Sequence, residues 1–295
     1  MTRARALDLA RILFVLLTLG CAWLGFRGRG DEIADALADT SALGLAAALL
    51  VTLLGLALTA ILWRRILARL GSPVPERAAS AIFFVGQLGK YVPGSVWSFA
   101  AQAQLGRRHD VPARRSVTAS GLFLLVHTAT GAVVGTAAVV TGVLDAGGPR
   151  WLWALGLVAG AVVLALPVVR RDVGPAMVLM AGVWLAYGVG VLALLGPARA
   201  GLDDLPAIIA AFALSHVAGV LLVIAPAGLG AREGVLIALL EPVVGLDAAI
   251  ATALLARVVH AAADFAIAGL AALRARRTGV RPSPGLRPAD RRTDL

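Results

Sequence analysis

Lys90 is the only lysine among 27 basic side chains in this chain of 295 residues. It stands in Gly86-Gln87-Leu88-Gly89-Lys90-Tyr91-Val92-Pro93-Gly94-Ser95-Val96-Trp97-Ser98, where an ammonium, a phenol, an amide and hydroxyls surround a Pro-Gly break. An ammonium of this kind suits a phosphate as a point charge. Tyr91, Pro93, Gly94, Ser95, Trp97, Ser98 and, one turn on, Gln102 are candidate contacts for the same substrate group. The plain alternative is that Pro-Gly turns a hairpin and Lys90 snorkels to an interface.

A second break, Pro226-Ala227-Gly228-Leu229-Gly230, precedes Ala231-Arg232-Glu233. Gly228 and Gly230 permit close backbone approach, and the N–H groups of a helix entering at Ala231 would form an anion site. Arg232 joins that site, while Glu233 is either part of it, a favourable residue at a helix N-terminus, or the neutralising partner of a nearby arginine. A third group, Arg257, His260 and Asp264, is spaced three and four apart and therefore shares one helix face. Such a face inside a membrane suits a proton relay or a headgroup clamp; the bland reading is an Arg257–Asp264 ion pair that holds helices together. His127 and His216 stand singly on apolar stretches and read as hydrogen-bonded packing residues rather than ligands. The single cysteine, Cys21, and the lack of clustered Cys or His exclude disulfide and zinc modules, and neither metal nor cofactor is expected. Asp31, Glu32, Asp35 and Asp39 fall in one short loop without the spacing of a metal or general-base site.

The elements that must position these groups are membrane spans. The chain is 59% hydrophobic and 15% charged, with 33 Gly and 14 Pro, and its mean hydropathy is +0.87; soluble proteins carry about 25% charge. Apolar runs cover Ile12–Phe26, Ser41–Trp63, Ser116–Thr141, Trp151–Val169, Gly174–Leu195, Leu205–Ala225 and Ala248–Leu273, each near the ~20 residues a helix needs to cross the hydrocarbon. Two further segments, 79–105 and 226–245, are apolar but interrupted. The expected fold is an all-α polytopic membrane protein of about eight transmembrane helices, the eighth being Ala231–Gly245, with two interrupted or re-entrant segments. The breaks lie about 135 residues apart, which suits an internal repeat. Residues 1–275 form one integral membrane domain in this reading, and 276–295 a disordered basic tail. Gly131/Gly135 and Gly156/Gly160 suit close helix packing; Trp63, Trp97, Trp151 and Trp153 are expected at the interfaces and Trp184 in the interior.

Arginines set the orientation. Arg64, Arg65, Arg69 and Arg77 precede the first broken segment, and Arg107, Arg108, Arg114 and Arg115 follow it. Both flanks are expected on the cytoplasmic side, which makes the segment re-entrant, and non-helical backbone at that depth must line a cavity or be buried in protein. The termini are then cytoplasmic and the protein a multi-pass component of the cell membrane. The net charge of +10 belongs to topology and anionic headgroups rather than to nucleic acid.

Together, Gly89-Lys90-Tyr91-Val92-Pro93-Gly94 with Trp97, and Pro226-Ala227-Gly228-Leu229-Gly230-Ala231-Arg232-Glu233-Gly234, resemble the transmembrane-region family of lysylphosphatidylglycerol synthases. The resemblance runs over roughly residues 5 to 275. It implies a flippase-like membrane unit, which in larger members moves aminoacylated phosphatidylglycerol between leaflets while a separate soluble domain transfers the aminoacyl group; that domain is expected to be absent here. The leading expectation is a lipid transporter, not an enzyme, acting on an anionic or aminoacylated phospholipid or a polyprenyl-phosphate-linked lipid. The alternatives are a non-catalytic membrane partner of a lipid-modifying enzyme and a membrane glycosyl or phosphoryl transferase. The lipid substrate and the bilayer are the expected partners, with a homodimer or a lipid-synthesis enzyme left open. No Walker A loop is present, so an uncoupled scramblase or a proton-coupled carrier is the economical form.

Overall fold

The computed structural model describes residues 30–91, 96–170, 173–222 and 228–277. Among these every regular element is helical: α1 (Gly30–Ala38), α2 (Ala42–Arg69), α3 (Glu76–Gln87), α4 (Trp97–Arg107), α5 (Ala113–Thr141), α6 (Arg150–Ala165), α7 (Val173–Leu195), α8 (Leu205–Leu221), α9 (Ala231–Val244) and α10 (Leu246–Arg277). The chain is an all-α polytopic membrane protein. Five stretches are long and apolar enough to cross a bilayer: Ala42–Arg69, Ala113–Thr141, Gly174–Leu195, Leu202–Leu221 and Leu246–Ala275. The apolar run Ile12–Phe26, Trp23 and the tail beyond 277 lie outside the described residues.

Local chemistry sets several of these limits. Ser41 caps α2 by accepting from the Gly44 N–H at 2.9 Å. At its other end Gly71 turns at φ +82°, and Pro75 immediately precedes α3. Pro167 has no N–H to give, so α6 stops at Ala165 and a single turn, Pro167–Arg170, continues it. The acidic stretch expected as a loop is instead the short helix α1, because Ile33, Ala36 and Leu37 recur at helical spacing. It packs against α10.

Small residues let the long helices lie close. A Cβ on Gly44 would reach the Ala193 carbonyl and one on Gly55 the Tyr187 ring, so α2 and α7 run antiparallel in contact. Gly131 and Gly135 of α5 meet Trp184 and Leu214, and Gly156 and Gly160 of α6 meet Thr136 and Val133. Trp63 corrects one expectation. It is fully buried, stacked near Phe83 and donating to Ser120 Oγ at 3.0 Å, since its indole N–H finds a partner inside the bundle. Trp151 stays exposed, and Trp184 is buried with its N–H on Thr130 Oγ1.

Neither broken segment contributes a helix of span length among the described residues. Helices α3 and α4, of 12 and 11 residues, are about 18 and 16 Å long against roughly 30 Å of hydrocarbon. They form a hairpin whose arms touch at Gly86–Gln102 and Gly89–Ser98. Its two flanks meet at one end of the molecule, where Arg115 at the start of α5 donates to the Gly71 carbonyl at 2.8 Å and to Ser72 Oγ at 3.1 Å.

The second segment, expected to supply an eighth crossing, holds no helix of span length among its described residues. With 14 residues, α9 is about 21 Å long and packs lengthwise against α8. The pair is a hairpin that turns beside Gly228 and Gly219. It enters from the end opposite the arginine-rich loops: α8 runs antiparallel to α5, pairing Leu214 with Gly135 and Val217 with Gly131. The short length of α9 and the turn at Gly228 return the chain to the end from which α8 came.

Candidate functional site

The two hairpin tips meet beside the middle of the 32-residue α10. At the first tip the chain tightens into a 3-10 turn, Leu88–Tyr91, which presents two successive side chains to α10. Lys90 Nζ lies 2.6 Å from Asp264 Oδ2, and the Tyr91 hydroxyl donates to the same oxygen at 2.7 Å. The Tyr91 ring stacks on Phe265 at 5.4 Å. Asp264 is almost enclosed, whereas the Lys90 side chain keeps 36% of its surface accessible. A carboxylate so enclosed needs both partners.

At the second tip, Gly230 opens α9 at φ +88°, and its N–H donates to Glu233 Oε2 at 2.7 Å, a side chain closing back on the helix start. The other Glu233 oxygen faces Arg257 Nη1 of α10 at 3.2 Å. Arg232 turns the other way and lays its guanidinium 4.8 Å over the Phe212 ring; its Nη2 is buried without a hydrogen-bond partner among the described residues.

The face shared by Arg257, His260 and Asp264 is present, but the proposed Arg257–Asp264 pair is not. Seven residues on a helix are about 10.5 Å of rise, and each charge finds a nearer partner on a hairpin tip. His260 bonds its Nδ1 to the Ala256 carbonyl at 2.9 Å, which makes Nδ1 the donor and leaves Nε2, buried and without a partner among the described residues, as an acceptor.

One cavity of about 220 Å³ joins these groups. Its charged lining is Lys90, Arg232, Arg257 and Asp264, with Tyr91, Ser98, Gly228 and His260 beside them; Phe83, Phe99, Phe123 and Leu222 supply apolar wall. Other sequence candidates fall elsewhere. Gln102 is buried between the hairpin arms, donating to the Phe83 carbonyl at 3.4 Å and accepting from Ser120, so it locks the hairpin and does not line the cavity. Trp97 is half-exposed on the outer surface, and Gly230 and Glu233 stand behind the wall. Pro93, Gly94 and Ser95 lie outside the described residues.

Sequence reasoning missed a second polar group. His127 of α5 and His216 of α8 are hydrogen-bonded, as expected, but to each other: their Nε2 atoms are 3.0 Å apart, so one donates and the other accepts. Both line the cavity. The signal available was that each is an ionisable residue inside an apolar span.

Compared with known proteins, the chain has no match among curated ones. The family profile described as Lysylphosphatidylglycerol synthase TM region matches residues 9–172, which includes the first hairpin and ends before the second. That match extends over more than half of the chain, and with a helical, span-built architecture it shows that the chain belongs to the lysylphosphatidylglycerol synthase transmembrane-region family.

Proposed function

We propose that the protein is a lipid transporter that moves an anionic or aminoacylated phospholipid, or a polyprenyl-phosphate-linked lipid, between the leaflets of the cytoplasmic membrane. The observation that carries this reading is the meeting of two hairpins, entering from opposite ends, around one charged cavity. Broken helices that reach a central site from both sides are how repeat-built transporters bind a substrate at the midplane. Three cations, Lys90, Arg232 and Arg257, stand against two carboxylates, Asp264 and Glu233. Among the described residues of the site the cations outnumber the carboxylates by one, and a surplus charge at depth is costly. A phosphate monoanion supplies the missing partner.

In this mechanism the headgroup enters the cavity while the acyl chains stay in lipid. Arg232 Nη2 and Lys90 Nζ take the phosphate, the first from its vacant donor and the second by sharing its charge between Asp264 and the ligand. Release follows when the Lys90–Asp264 pair re-forms, and no covalent step is involved. The arginine-rich end faces the cytoplasm by the positive-inside rule, and residues 1–275 act as one integral membrane unit with both termini on that side.

Reconstitution into liposomes with headgroup-labelled phosphatidylglycerol tests the reading. Transport predicts protein-dependent loss of inner-leaflet protection with the lipid chemically unchanged. A covalently altered lipid would make the protein an enzyme, and neither change would leave it an accessory partner.

A further inference from the structure

A second cavity, of about 200 Å³, opens at the arginine-rich end between α2, α3 and α10. Its polar lining is Arg64, Arg77, Arg274, Ser80 and Glu76, three cations against one carboxylate. Its position relative to the central cavity follows from helix periodicity. On α10 the residues lining the second cavity are Ile267, Ala271 and Arg274, and those lining the central one are Arg257, His260 and Asp264. All six recur at steps of three and four, so they form one continuous face. On α3 the same holds: Arg77 and Ser80 line the second cavity, Gln87 the central one, and Phe84 lines both. The two cavities are therefore successive parts of one track between α3 and α10, separated at the Phe84 ring, which is buried and lies 5.4 Å from Phe83. From Arg274 to Asp264 the track rises about 15 Å, half the thickness of the hydrocarbon.

We infer that the second cavity is a loading site for the phosphodiester headgroup of a lipid in the leaflet at the arginine-rich end, and that Phe84 is the gate between it and the central cavity. The ligand is a lipid rather than a soluble anion because the remaining walls, Ala57, Ala60, Ile61, Ile267 and Ala271, are apolar. Both flanking helices also show apolar faces to the outside, through Leu54 and Ile61 on α2 and Phe265 and Leu270 on α10, along which acyl chains can lie. Basic pockets between spans are built for such headgroups. The gating role rests on the transport reading above; the binding role does not.

The full chain in liposomes containing a phosphatidylglycerol with a diazirine beside its headgroup tests both. Photolysis is expected to place adducts on the peptides spanning 57–64 and 267–274. Arg64→Gln/Arg77→Gln should lower that yield at least fivefold, Arg64→Lys/Arg77→Lys should restore most of it, and Arg150→Gln, an exposed position at the opposite end, should leave it unchanged. Because Arg64 also donates to the Val74 carbonyl, Arg77→Gln alone, expected to lower the yield about twofold, serves if the pair does not insert. Phe84→Ala should raise adducts on 257–264 relative to 267–274. Yields indifferent to the arginines overturn the site. Competition by inorganic phosphate would make it a soluble-anion site and overturn the lipid assignment, and an unchanged adduct ratio in Phe84→Ala overturns the gate. Wild-type protein that labels but moves no lipid would end the transport reading and leave the binding site standing.

Discussion

Asp264 accepts from two groups of the first hairpin tip, Lys90 and Tyr91, so its substitutions separate stability from transport. Asp264→Asn leaves the Lys90 ammonium without its carboxylate, and because Lys90 is over a third exposed the cost falls below the ~3–5 kcal/mol of breaking a fully buried pair. The thermal midpoint in detergent should fall clearly. Lys90→Met/Asp264→Leu removes both charges and should recover most of that midpoint, while lipid translocation stays near background. Recovery of translocation in the double variant would reduce the pair to a structural clip. Glu233→Gln keeps an oxygen for the Gly230 N–H but ends the ion pair with Arg257. Expression should be preserved and headgroup preference should shift toward more strongly anionic lipids, read as relative rates for phosphatidylglycerol and a zwitterionic lipid. Equal ratios in wild type and variant would count against any role of Glu233 in balancing the cavity.

Each hairpin is closed near its tip by a glycine against backbone. A methyl on Gly89 would meet the backbone of Trp97 and Ser98 at 2.6–2.7 Å, and one on Gly228 the backbone of Gly219 at 2.6 Å; neither neighbour can rotate away. Gly228 also sits at φ +70°, where a side chain costs a further 1–2 kcal/mol or so. Gly89→Ala and Gly228→Ala should therefore lower translocation at least tenfold while helical circular dichroism is retained, because the tips are displaced and the long helices are not. Gly234→Ala, a helical position with open space around it, is the matched control and should behave as wild type. The hairpin character of the first segment was legible from the arginines on both flanks, with Pro-Gly between them. That of the second was not: it has no basic flanks, and a 14-residue apolar helix is ambiguous until its neighbour is known.

At the scale of the whole molecule, the opposed hairpins make an accessibility prediction that an eight-span chain does not share. After Cys21→Ser, single cysteines at Asp203 and Gly245 should be labelled from the same side, since α8 and α9 leave and return at one end. Cysteines at Pro73 and Asp110, both exposed, should be labelled from the other side, the cytoplasmic one under the positive-inside reading. Labelling of Asp203 and Gly245 from opposite sides would restore α9 as a crossing and dissolve the two-ended site. Arg199 and Asp39, paired at 2.7 Å, mark the end where Asp203 and Gly245 belong.

Hydropathy alone determined that the protein is helical and multi-pass, because backbone groups in lipid must be satisfied within each span, and apolar runs of span length are visible without any partner. The sequence also located the two breaks and the polar residues near them, since lysine, arginine and aspartate at such positions are conspicuous against a 59% hydrophobic background. Pairing was another matter. Which cation meets which carboxylate is a question of distance between side chains far apart in the chain, 174 residues for Lys90 and Asp264 and 24 for Glu233 and Arg257, so only the packed hairpins decided that Lys90 takes Asp264 and Arg257 takes Glu233. The same holds for His127 and His216, each legible alone only as a packing residue, whose rings meet because close helix packing at Gly131 and Gly135 draws α5 against α7 and α8.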